Sequence, residues 1–426
     1  MSDFVVACVG KPSAGKSSFL NAVTNATAKV GNYPFTTIDP NQGIAYYPTE
    51  CPCKKYNRPD ICKPRHGWCE NGIRYVPIKL LDVAGLVPGA SEGRGLGNKF
   101  LDDLRHADIL IHVVDGSGLT DENGKETKGY NLINDIMWLR NEIHAWIFNN
   151  LSKKWDSVVR RHLATKSTSV ATLQAQLSGY GSTKDIVMSS INSDLMKISL
   201  NQWTLDDLST FVFDFIDERF PTIIDGINAD QIVLTSAISE CYLRLMDKQK
   251  FIKYTPGEED FYTINDDPSL TNELKPYGPD IEEELEKIRD LVLFRYFGTG
   301  TQQAIIKAVE TLNMIPVYPV KSVSGFSVIN QNTPLVDNTG VVRENSKTLL
   351  RDCVLVKSGT TVRQLAKRLH DELDRNFNGA ETIGNVQLGE NDVIVAGKNN
   401  IICIKTKYSP PKSTAGSNAS KIANKT

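Results

Sequence analysis

The sequence predicts an α/β protein: a parallel-sheet domain that carries a helical insertion, followed by a small β-rich domain. Three observations support this prediction. Strand and helix patterns alternate through the first third of the 426 residues, apolar residues then recur every three or four positions from Asn131, and a joint rich in Gly, Asn and Ser at 322–338 precedes a last compact unit. Alternating strands and helices are typical of a parallel sheet, and a period near 3.6 is typical of amphipathic helices.

The first part of the sheet domain is expected over residues 1–118. Apolar runs predict three strands and two helices, at 4–9, 75–82 and 109–114 for the strands and at 18–24 and 102–106 for the helices. Because ligands bind at the carboxyl ends of parallel strands, the loops after these strands are where a site is expected.

A helical insertion is expected over residues 119–219, because two long segments carry apolar residues at helical spacing: Leu132, Ile136, Leu139, Ile143, Ile147 and Leu151, then Leu205, Leu208, Phe211, Val212, Phe215 and Ile216. The sheet domain then resumes over 220–322. Its patterns predict strands at 220–224 and 231–235 and helices at 281–297 and 301–312.

The last compact unit is expected over residues 323–407. One helix at 362–373 and four short strands, near 353–356, 385–388, 393–395 and 401–404, predict a small β-grasp-like domain. Residues 408–426 are rich in Ser, Pro, Ala, Asn and Lys and predict a disordered basic tail. Such a tail either contacts RNA or an acidic partner or only aids solubility.

Composition excludes several classes of protein. A net charge of −2 gives no overall basic character, and no apolar stretch is long enough to cross a membrane. The N-terminus lacks the pattern of a signal peptide, because Asp3 precedes a short apolar run. Eight cysteines in a chain of this size do not predict a disulfide scaffold. We expect a cytoplasmic protein with reduced thiols and no membrane partner.

The strongest motif is G-x-x-x-x-G-K-S at residues 10–17, between an apolar strand and a helix. Glycines let the backbone turn its N–H groups toward phosphates, and the helix that follows adds its positive end. Lys16 would reach the β- and γ-phosphates, and the Ser17 hydroxyl would bind Mg²⁺. The predicted phosphate-contacting residues are Gly10, Lys11, Pro12, Ser13, Ala14, Gly15, Lys16, Ser17 and Ser18.

Three further segments narrow the kind of site. Asp82 ends a predicted strand, where its carboxylate would hold a Mg²⁺-bound water, and Gly85 would present its N–H to the γ-phosphate. The segment 32–41 contains Thr36 and Thr37, where a threonine would complete the Mg²⁺ shell and act as a switch. Ser236 and Ala237 follow a predicted strand, where a loop could contact a purine base.

These motifs resemble those of Obg-related, YchF-type P-loop GTPases of the translation-factor class. The resemblance runs from residue 1 to about 405 and is carried by the stretches GKPSAGKSSFLNAVT, NYPFTTIDPNQG, DVAGLVPGASEGRGLGNKFLDDLRHADILIHVVD, DQIVLTSAISE, IRDLVLFRYFGTGTQQAIIKAVETL, LVKSGTTVRQLAKRLHDEL and GENDVIVA. The last two stretches resemble the TGS domain that follows such G domains.

The resemblance implies a Ras-like G domain with a coiled-coil-like arm, a C-terminal TGS domain, and a monomer that hydrolyses GTP and partners with the ribosome or RNA. It also implies that Thr37 is the switch threonine and that Ser17, Thr37 and, through water, Asp82 hold Mg²⁺. Two residues depart from better-known GTPases. Leu86 stands where Ras-type enzymes carry a water-orienting Gln, which implies that intrinsic hydrolysis is slow or relies on another group. Ser13 stands where potassium-activated relatives carry Asn, which argues against potassium stimulation.

The base-reading motif is absent from the sequence. GTPases read guanine with N-K-x-D, and no such motif occurs in the chain. Only the six residues 225–230 separate two predicted strands, whereas a parallel crossover needs a dozen or more. We interpret this as a missing segment; the alternative is a divergent domain in which Asp225 contacts the base. ATP use, and a non-hydrolysing scaffold or RNA-binding protein with a broken G domain, are the competing functions.

Cys51, Cys53, Cys62 and Cys69 form the pattern C-x-C-x8-C-x6-C in a loop dense in Pro, Lys and Arg. A Zn²⁺ ion held by four thiolates would order such a loop. The spacing departs from paired C-x2-C, so free thiols and a redox pair stay open beside zinc. His106, His112, His144 and His370 lie in helix or strand contexts and are expected to be structural.

Overall fold

The protein is described here by a computed structural model of residues 4–24, 42–83, 103–104, 106–220, 232–323 and 350–407. It divides into two compact units, one up to Met314 and one from Ile315 onward. The second unit begins before the predicted residue 323, because the strand Met314–Pro319 pairs with the second sheet. No helix among the described residues combines the length and the apolar character that a membrane span requires.

The first unit is built on a five-stranded sheet in the order β2–β4–β1–β5, with β3 beside β4. The strands are β1 (Val5–Val9), β2 (Gln42–Glu50), β3 (Trp68–Glu70), β4 (Ile73–Asp82) and β5 (Ile109–His112). β1 pairs in parallel with β4 and β5, whereas β2 and β3 pair antiparallel with β4. The sheet is therefore mixed, and β2 was not predicted.

Helix α1 (Lys16–Val23) follows β1 directly and buries Phe19 and Ala22. The short helix α2 (Pro52–Lys55) and a 3₁₀ turn (Pro59–Ile61) lie between β2 and β3. This order places the loop after β1 and the end of β4 next to each other, because the two strands are neighbours in parallel register.

Five helices form the inserted region, joined by short 3₁₀ turns. They are α3 (Leu132–Ser152), α4 (Trp155–Thr165), α5 (Ser169–Leu177), α6 (Lys184–Ser190) and α7 (Leu205–Arg219). Most of each predicted apolar stripe is buried: Leu139, Ile143 and Ile147 of α3 share one core with Phe211 and Phe215 of α7. Leu205, at the start of α7, is 53% exposed. That core continues into Ala7, Val9 and Leu110 of the sheet, so these helices pack on the strands.

Local capping explains where the inserted helices begin. Thr204 precedes α7 and accepts a hydrogen bond from the Asp207 backbone N–H, while the Asp207 side chain accepts from the Thr204 N–H. Asn131 caps α3 by accepting from the N–H of Ile133. Such caps satisfy backbone donors that a helix leaves unpaired at its first turn.

The rest of the first unit contains further helices. It comprises α8 (Ala237–Lys248), α9 (Pro279–Ile288), a π-helical turn (Arg289–Leu293), α10 (Phe294–Tyr296) and α11 (Thr301–Thr311). Residues 232–235 form no strand, contrary to the prediction for 231–235; residues 221–231 lie outside the described part. The helix predicted at 281–297 is present as α9, the π-helical turn and α10, which follow one another without a gap.

The second unit is a five-stranded sheet in the order β7–β6–β10–β8–β9. Its strands are β6 (Met314–Pro319), β7 (Val354–Lys357), β8 (Phe377–Thr382), β9 (Val386–Leu388) and β10 (Ile401–Thr406), with the helices α12 (Val362–Leu369) and α13 (Asp371–Arg375). Its core joins Val317 and Val356 to Leu365 of α12.

Three predictions about this unit need correction. The helix predicted at 362–373 breaks at His370, whose extended backbone (φ −167°) and ring nitrogen cap α13. Residues 393–395 form no strand, because Val393 makes only an isolated bridge with Thr361. Strands β6 and β8 were not predicted.

Candidate nucleotide site

The loop between β1 and α1 has the backbone that the motif predicts. Gly10 and Gly15 adopt φ of +146° and +95°, and Ser13 between them adopts +61°. Such values favour glycine. A Cβ on Gly10 would lie 2.3 Å from the Val113 carbonyl oxygen, so only glycine allows this approach to the end of β5. The Phe19 N–H donates to Gly15 O at 2.8 Å and starts the helix.

Lys16 lies in this loop with its side chain largely buried. Its Nζ donates to the carbonyl oxygen of Lys11 at 2.7 Å, so the ammonium lies over the loop. Burial lowers the pKa of Lys16, and the Asp82 carboxylate partly opposes that shift. The loop therefore carries a desolvated cation, which is the kind of group that binds phosphate oxygens.

Ser17 and Asp82 are brought together by the pairing of β1 with β4. The Ser17 Oγ donates to Asp82 Oδ2 at 2.7 Å. A hydroxyl and a carboxylate are hard oxygen ligands, which Mg²⁺ prefers. The pair fits the predicted metal site: the hydroxyl would bind the ion directly and the carboxylate would hold one of its waters. Thr36, Thr37 and Gly85, the other predicted members, lie outside the described residues.

Ser236 and Ala237 stand at the start of α8, which packs against α1. The Ser236 N–H donates to Thr299 O at 2.8 Å, and its Oγ donates to Ser239 Oγ at 2.8 Å. On α8 itself, Arg244 donates to the Ala22 carbonyl oxygen at the end of α1. The Arg244 contact holds α8 against α1, the helix that follows the phosphate loop, and the predicted base-side residues begin this helix α8.

Glu240 on α8 is a buried carboxylate that the sequence analysis did not single out. It is fully buried and accepts hydrogen bonds from the hydroxyls of Tyr254, at 2.8 Å, and Thr299. Burial raises the pKa of Glu240, and these donors oppose the rise. The carboxylate ties α8 to residues 254 and 299, and so supports the position of Ser236.

Lys11 also has a role that the motif did not reveal. Its Nζ donates to Thr120 O at 2.7 Å and forms an ion pair with Asp135 Oδ2 at 2.9 Å, with both side chains almost completely buried. It also lies 4.2 Å from the centre of the Tyr130 ring. Because Asp135 is on α3, this side chain joins the phosphate loop to the first inserted helix.

The loop that precedes α3 packs closely on the phosphate loop. A Cβ on Gly124 would lie 2.6 Å from the Pro12 carbonyl oxygen, and Gly124 adopts φ of +76°. Residues Thr120 and Glu126 form a bridge that shapes this loop. In the sequence, this loop is recognisable only as a Gly- and Asp-rich stretch without helical periodicity.

The four clustered cysteines do come together. Their Sγ atoms all lie within 4.8 Å of one another, and Cys51–Cys62 and Cys53–Cys69 are each 3.7 Å apart. A hydrogen bond from Cys62 lowers the pKa of Cys51 to about 5, and the same bond raises the pKa of Cys62. Along the chain, the cluster lies between the end of β2 and the start of β4. Cys62 is beside Arg74 near the start of β4, whereas Asp82 ends that strand.

Comparison with known proteins gives two family matches. The profile of the 50S ribosome-binding GTPases matches residues 5–173, and that of the G4 motif-containing domain of Obg-like, YGR210-like GTPases matches residues 216–322. An uncharacterized GTP-binding protein of Schizosaccharomyces pombe is 47% identical over 418 residues, covering 94% of this chain and 97% of the relative.

Two further relatives extend the comparison. The ribosome-binding ATPase YchF of Bacillus subtilis is 40% identical over 123 residues, 28% of this chain and 30% of that protein. The solved structure of a GTP-binding protein from Pyrococcus horikoshii OT3 matches with a TM-score of 0.67 at 28% identity, covering 95% of this chain and all of that one.

Proposed function

The chain belongs to the Obg-like family of P-loop GTPases, and on this premise we propose that it is a Mg²⁺-dependent nucleotide switch that acts on the ribosome or on RNA. The observation that carries the proposal is the contact between Ser17 and Asp82 at 2.7 Å, directly after a glycine loop closed by Lys16. This arrangement gathers the groups that phosphate and Mg²⁺ require.

The residues have distinct roles in this proposal. The backbone of residues 10–18 and the Lys16 ammonium bind the phosphates and hold the γ-phosphoryl group in line for attack by water. Ser17 and Thr37 would hold Mg²⁺ directly and Asp82 through a water, and the bound ion would offset the charge of the β- and γ-oxygens. Gly85 contacts the γ-phosphate, and Thr36 and Thr37 lie on the segment that changes conformation after hydrolysis. Leu86 supplies no water-orienting group, so the intrinsic rate is slow.

Base selection is the part of the site that the sequence leaves incomplete. No N-K-x-D motif is present, and Ser236 and Ala237 are the base-side residues of the proposal. The alignment to the S. pombe protein spans 418 positions, but 94% of the 426 residues of this chain is fewer residues than that. Some positions of that relative therefore have no counterpart in this chain. We propose that the missing segment lies near residues 225–230, between the two predicted strands.

ATP hydrolysis is the second candidate. The observation that favours it is the absent guanine-reading motif together with the B. subtilis relative, whose name is that of an ATPase. Either nucleotide would use the same phosphate and Mg²⁺ groups, because those contacts do not read the base.

Partner and domain organisation complete the proposal. The family profile over residues 5–173 is that of ribosome-binding GTPases, and the second unit resembles a TGS domain in sequence. We assign residues 1–118 and 220–322 to the G domain, 119–219 to the arm and 408–426 to a basic tail. The TGS-like domain was predicted over 323–407; its sheet begins at Met314. The protein would act as a cytoplasmic monomer.

Lys16→Ala tests the phosphate site. A hydrogen bond to a charged group contributes about 1.5–3 kcal/mol, so we expect the affinity for a fluorescent GTP analogue to fall at least about 10-fold. Lys197→Ala is the matched control, because Lys197 is exposed and bonds only Asp194 three residues away. Unchanged affinity in Lys16→Ala, with the circular dichroism of the native fold, would refute the assignment.

Competition between GTP and ATP tests base selection. Without an N-K-x-D motif, the chain should bind GTP and ATP weakly and with little preference between them. A family-like segment containing N-K-x-D, inserted after Ile224, should restore GTP preference, because a site built to hydrogen-bond a group rejects analogues that lack it by roughly 10⁴-fold. Tight and selective GTP binding without the insert would mean that another residue, such as Asp225, reads the base.

A further inference from the structure

The cysteine cluster in the segment that connects β2 to β4 is a site that nucleotide hydrolysis does not use. We propose that Cys51, Cys53, Cys62 and Cys69 bind one structural Zn²⁺ ion as a tetrathiolate centre. The four Sγ atoms lie within 4.8 Å of one another, and the two close pairs are each 3.7 Å apart. Four sulfurs at the Zn–S distance of about 2.3 Å form a tetrahedron with edges of about 3.8 Å, so this spacing suits one central ion.

The same distances argue against disulfides. A disulfide bond is about 2.05 Å long, whereas both close sulfur pairs are 3.7 Å apart. All four cysteines are free thiols in the structure. Two separate pairs at one common distance, with all four sulfurs mutually close, is the arrangement that a shared metal produces.

Arg74 supplies a positive charge beside the sulfurs. Its side chain is almost fully buried, and its Nη2 lies 3.3 Å from Cys62 Sγ and 3.7 Å from Cys51 Sγ. Four thiolates around Zn²⁺ carry a net charge of −2, which Arg74 partly offsets while donating to two of the metal's ligands.

The local fold brings the ligands together from three elements. Cys51 precedes α2, Cys53 lies within it, Cys62 follows the 3₁₀ turn, and Cys69 lies on β3. The Cys51 N–H donates to Gly72 O at 2.8 Å, which fixes the start of α2 against the turn between β3 and β4.

This segment has little apolar material to hold it without a metal. Apart from cysteine and proline, Ile61 is its one buried apolar side chain within residues 51–70. Small segments that lack a hydrophobic core commonly depend on a metal or a disulfide for their fold. The metal here would take that place.

The site is structural and remote from the phosphates. β4 runs from Arg74 beside the sulfurs to Asp82 at the Mg²⁺ site, a span of about 26 Å at 3.3 Å per residue. Beyond the cluster, Trp68 stacks on Tyr75 at 4.5 Å and contacts Tyr46 at 4.6 Å, so the ion would also fix this aromatic group.

Metal analysis of the full chain, purified without chelators, tests the proposal. We expect about one zinc per chain, and after exchange with Co²⁺ the strong visible absorption of tetrahedral cobalt thiolate. Cys62→Ser should lower the zinc content, while Cys353→Ser, a cysteine in the second unit, should retain it. Metal-free protein with four freely reacting thiols, or mass-spectrometric evidence of two disulfides, would overturn the proposal.

Removal of zinc by a chelator gives a readout that needs no variant. We expect trypsin to cleave the Lys55–Tyr56 and Arg65–His66 bonds faster in the stripped protein, and added Zn²⁺ to restore protection. Resistance that is unchanged by stripping would refute a structural ion. Because the ion lies far from the phosphate loop, nucleotide affinity tests the proposed GTPase separately: failure of Lys16→Ala leaves the zinc result intact, and the reverse also holds.

Discussion

Breaking the buried ion pair between Lys11 and Asp135 should be strongly destabilising to the first unit, because either partner left alone is an uncompensated buried charge. The Nζ–Oδ2 distance is 2.9 Å and the side chains are 0% and 1% exposed. Asp135→Asn removes the charge but leaves Lys11 buried beside the Thr120 carbonyl and the Tyr130 ring. Removing one partner of a buried pair costs about 3–5 kcal/mol, because the other charge stays uncompensated.

A double-mutant cycle separates the pair from its surroundings. Lys11→Met and Asp135→Leu should each be strongly destabilising, whereas the double variant should recover most of the loss, because apolar replacement of a whole buried pair is close to neutral. Urea unfolding followed by tryptophan fluorescence is a suitable assay, since all five tryptophans lie in the first unit.

Lys197→Met is the control for this cycle. Lys197 pairs with Asp194 at the same distance of 2.9 Å, but with side chains 72% and 83% exposed. An exposed pair contributes about 0–1 kcal/mol. Additive losses for Lys11→Met and Asp135→Leu, or losses no larger than that of Lys197→Met, would refute the reasoning that burial gives this pair its strength.

Two further predictions concern pH and backbone geometry. Burial, aided by Lys16, lowers the pKa of His112 to about 3. Below pH 6.5 the unfolded chain therefore binds more protons than the folded chain, and the free energy of unfolding should fall by up to about 1.4 kcal/mol for each pH unit below that value. His112→Phe should flatten this pH dependence, which urea titrations at pH 5 and pH 7 measure. An unchanged slope would assign the pH dependence to other groups. Gly300 adopts φ of +73°, and a Cβ there would lie 1.9 Å from the Leu234 carbonyl oxygen. Gly300→Ala should lower the free energy of unfolding by roughly 2 kcal/mol or more. Gly278→Ala, at another helix N-cap with open space around it, should lower it by less than about 1 kcal/mol. Equal melting temperatures of the two variants would contradict the close approach at Gly300.

The sequence predicted the features that depend on local pattern. The run from Val5 to Val9, the glycine loop and the start of α1 follow from residue types within a few positions. Ser17 and Asp82 were both expected beyond the carboxyl ends of strands, and the structure brings them within hydrogen-bonding distance because β4 is the parallel neighbour of β1. Of the inserted helices, α3 and α7 followed from their apolar period, whereas the three shorter helices between them were not predicted.

Features that depend on distant partners were not predictable in the same way. Lys11 finds Asp135 more than a hundred residues away, and no local signal marks that contact. β2 alternates Tyr, Pro and Thr without a clear apolar face, so its place was set by pairing with β4. At His370 a side-chain cap divides what the apolar spacing presents as one helix.

The strand order of the second sheet has a consequence for synthesis. β10 lies between β6 and β8, so the earliest strand of the unit joins the β8–β9 hairpin only through the latest one. At elongation rates of 5–20 residues per second, residues 320–406 take about 5–20 s to follow β6 from the ribosome. During that interval Val317, fully buried in the finished sheet, has no strand β10 to pair beside it. The edge of β6 that β10 covers therefore stays unpaired until the last strand has been made, and this sheet closes only at the end of synthesis.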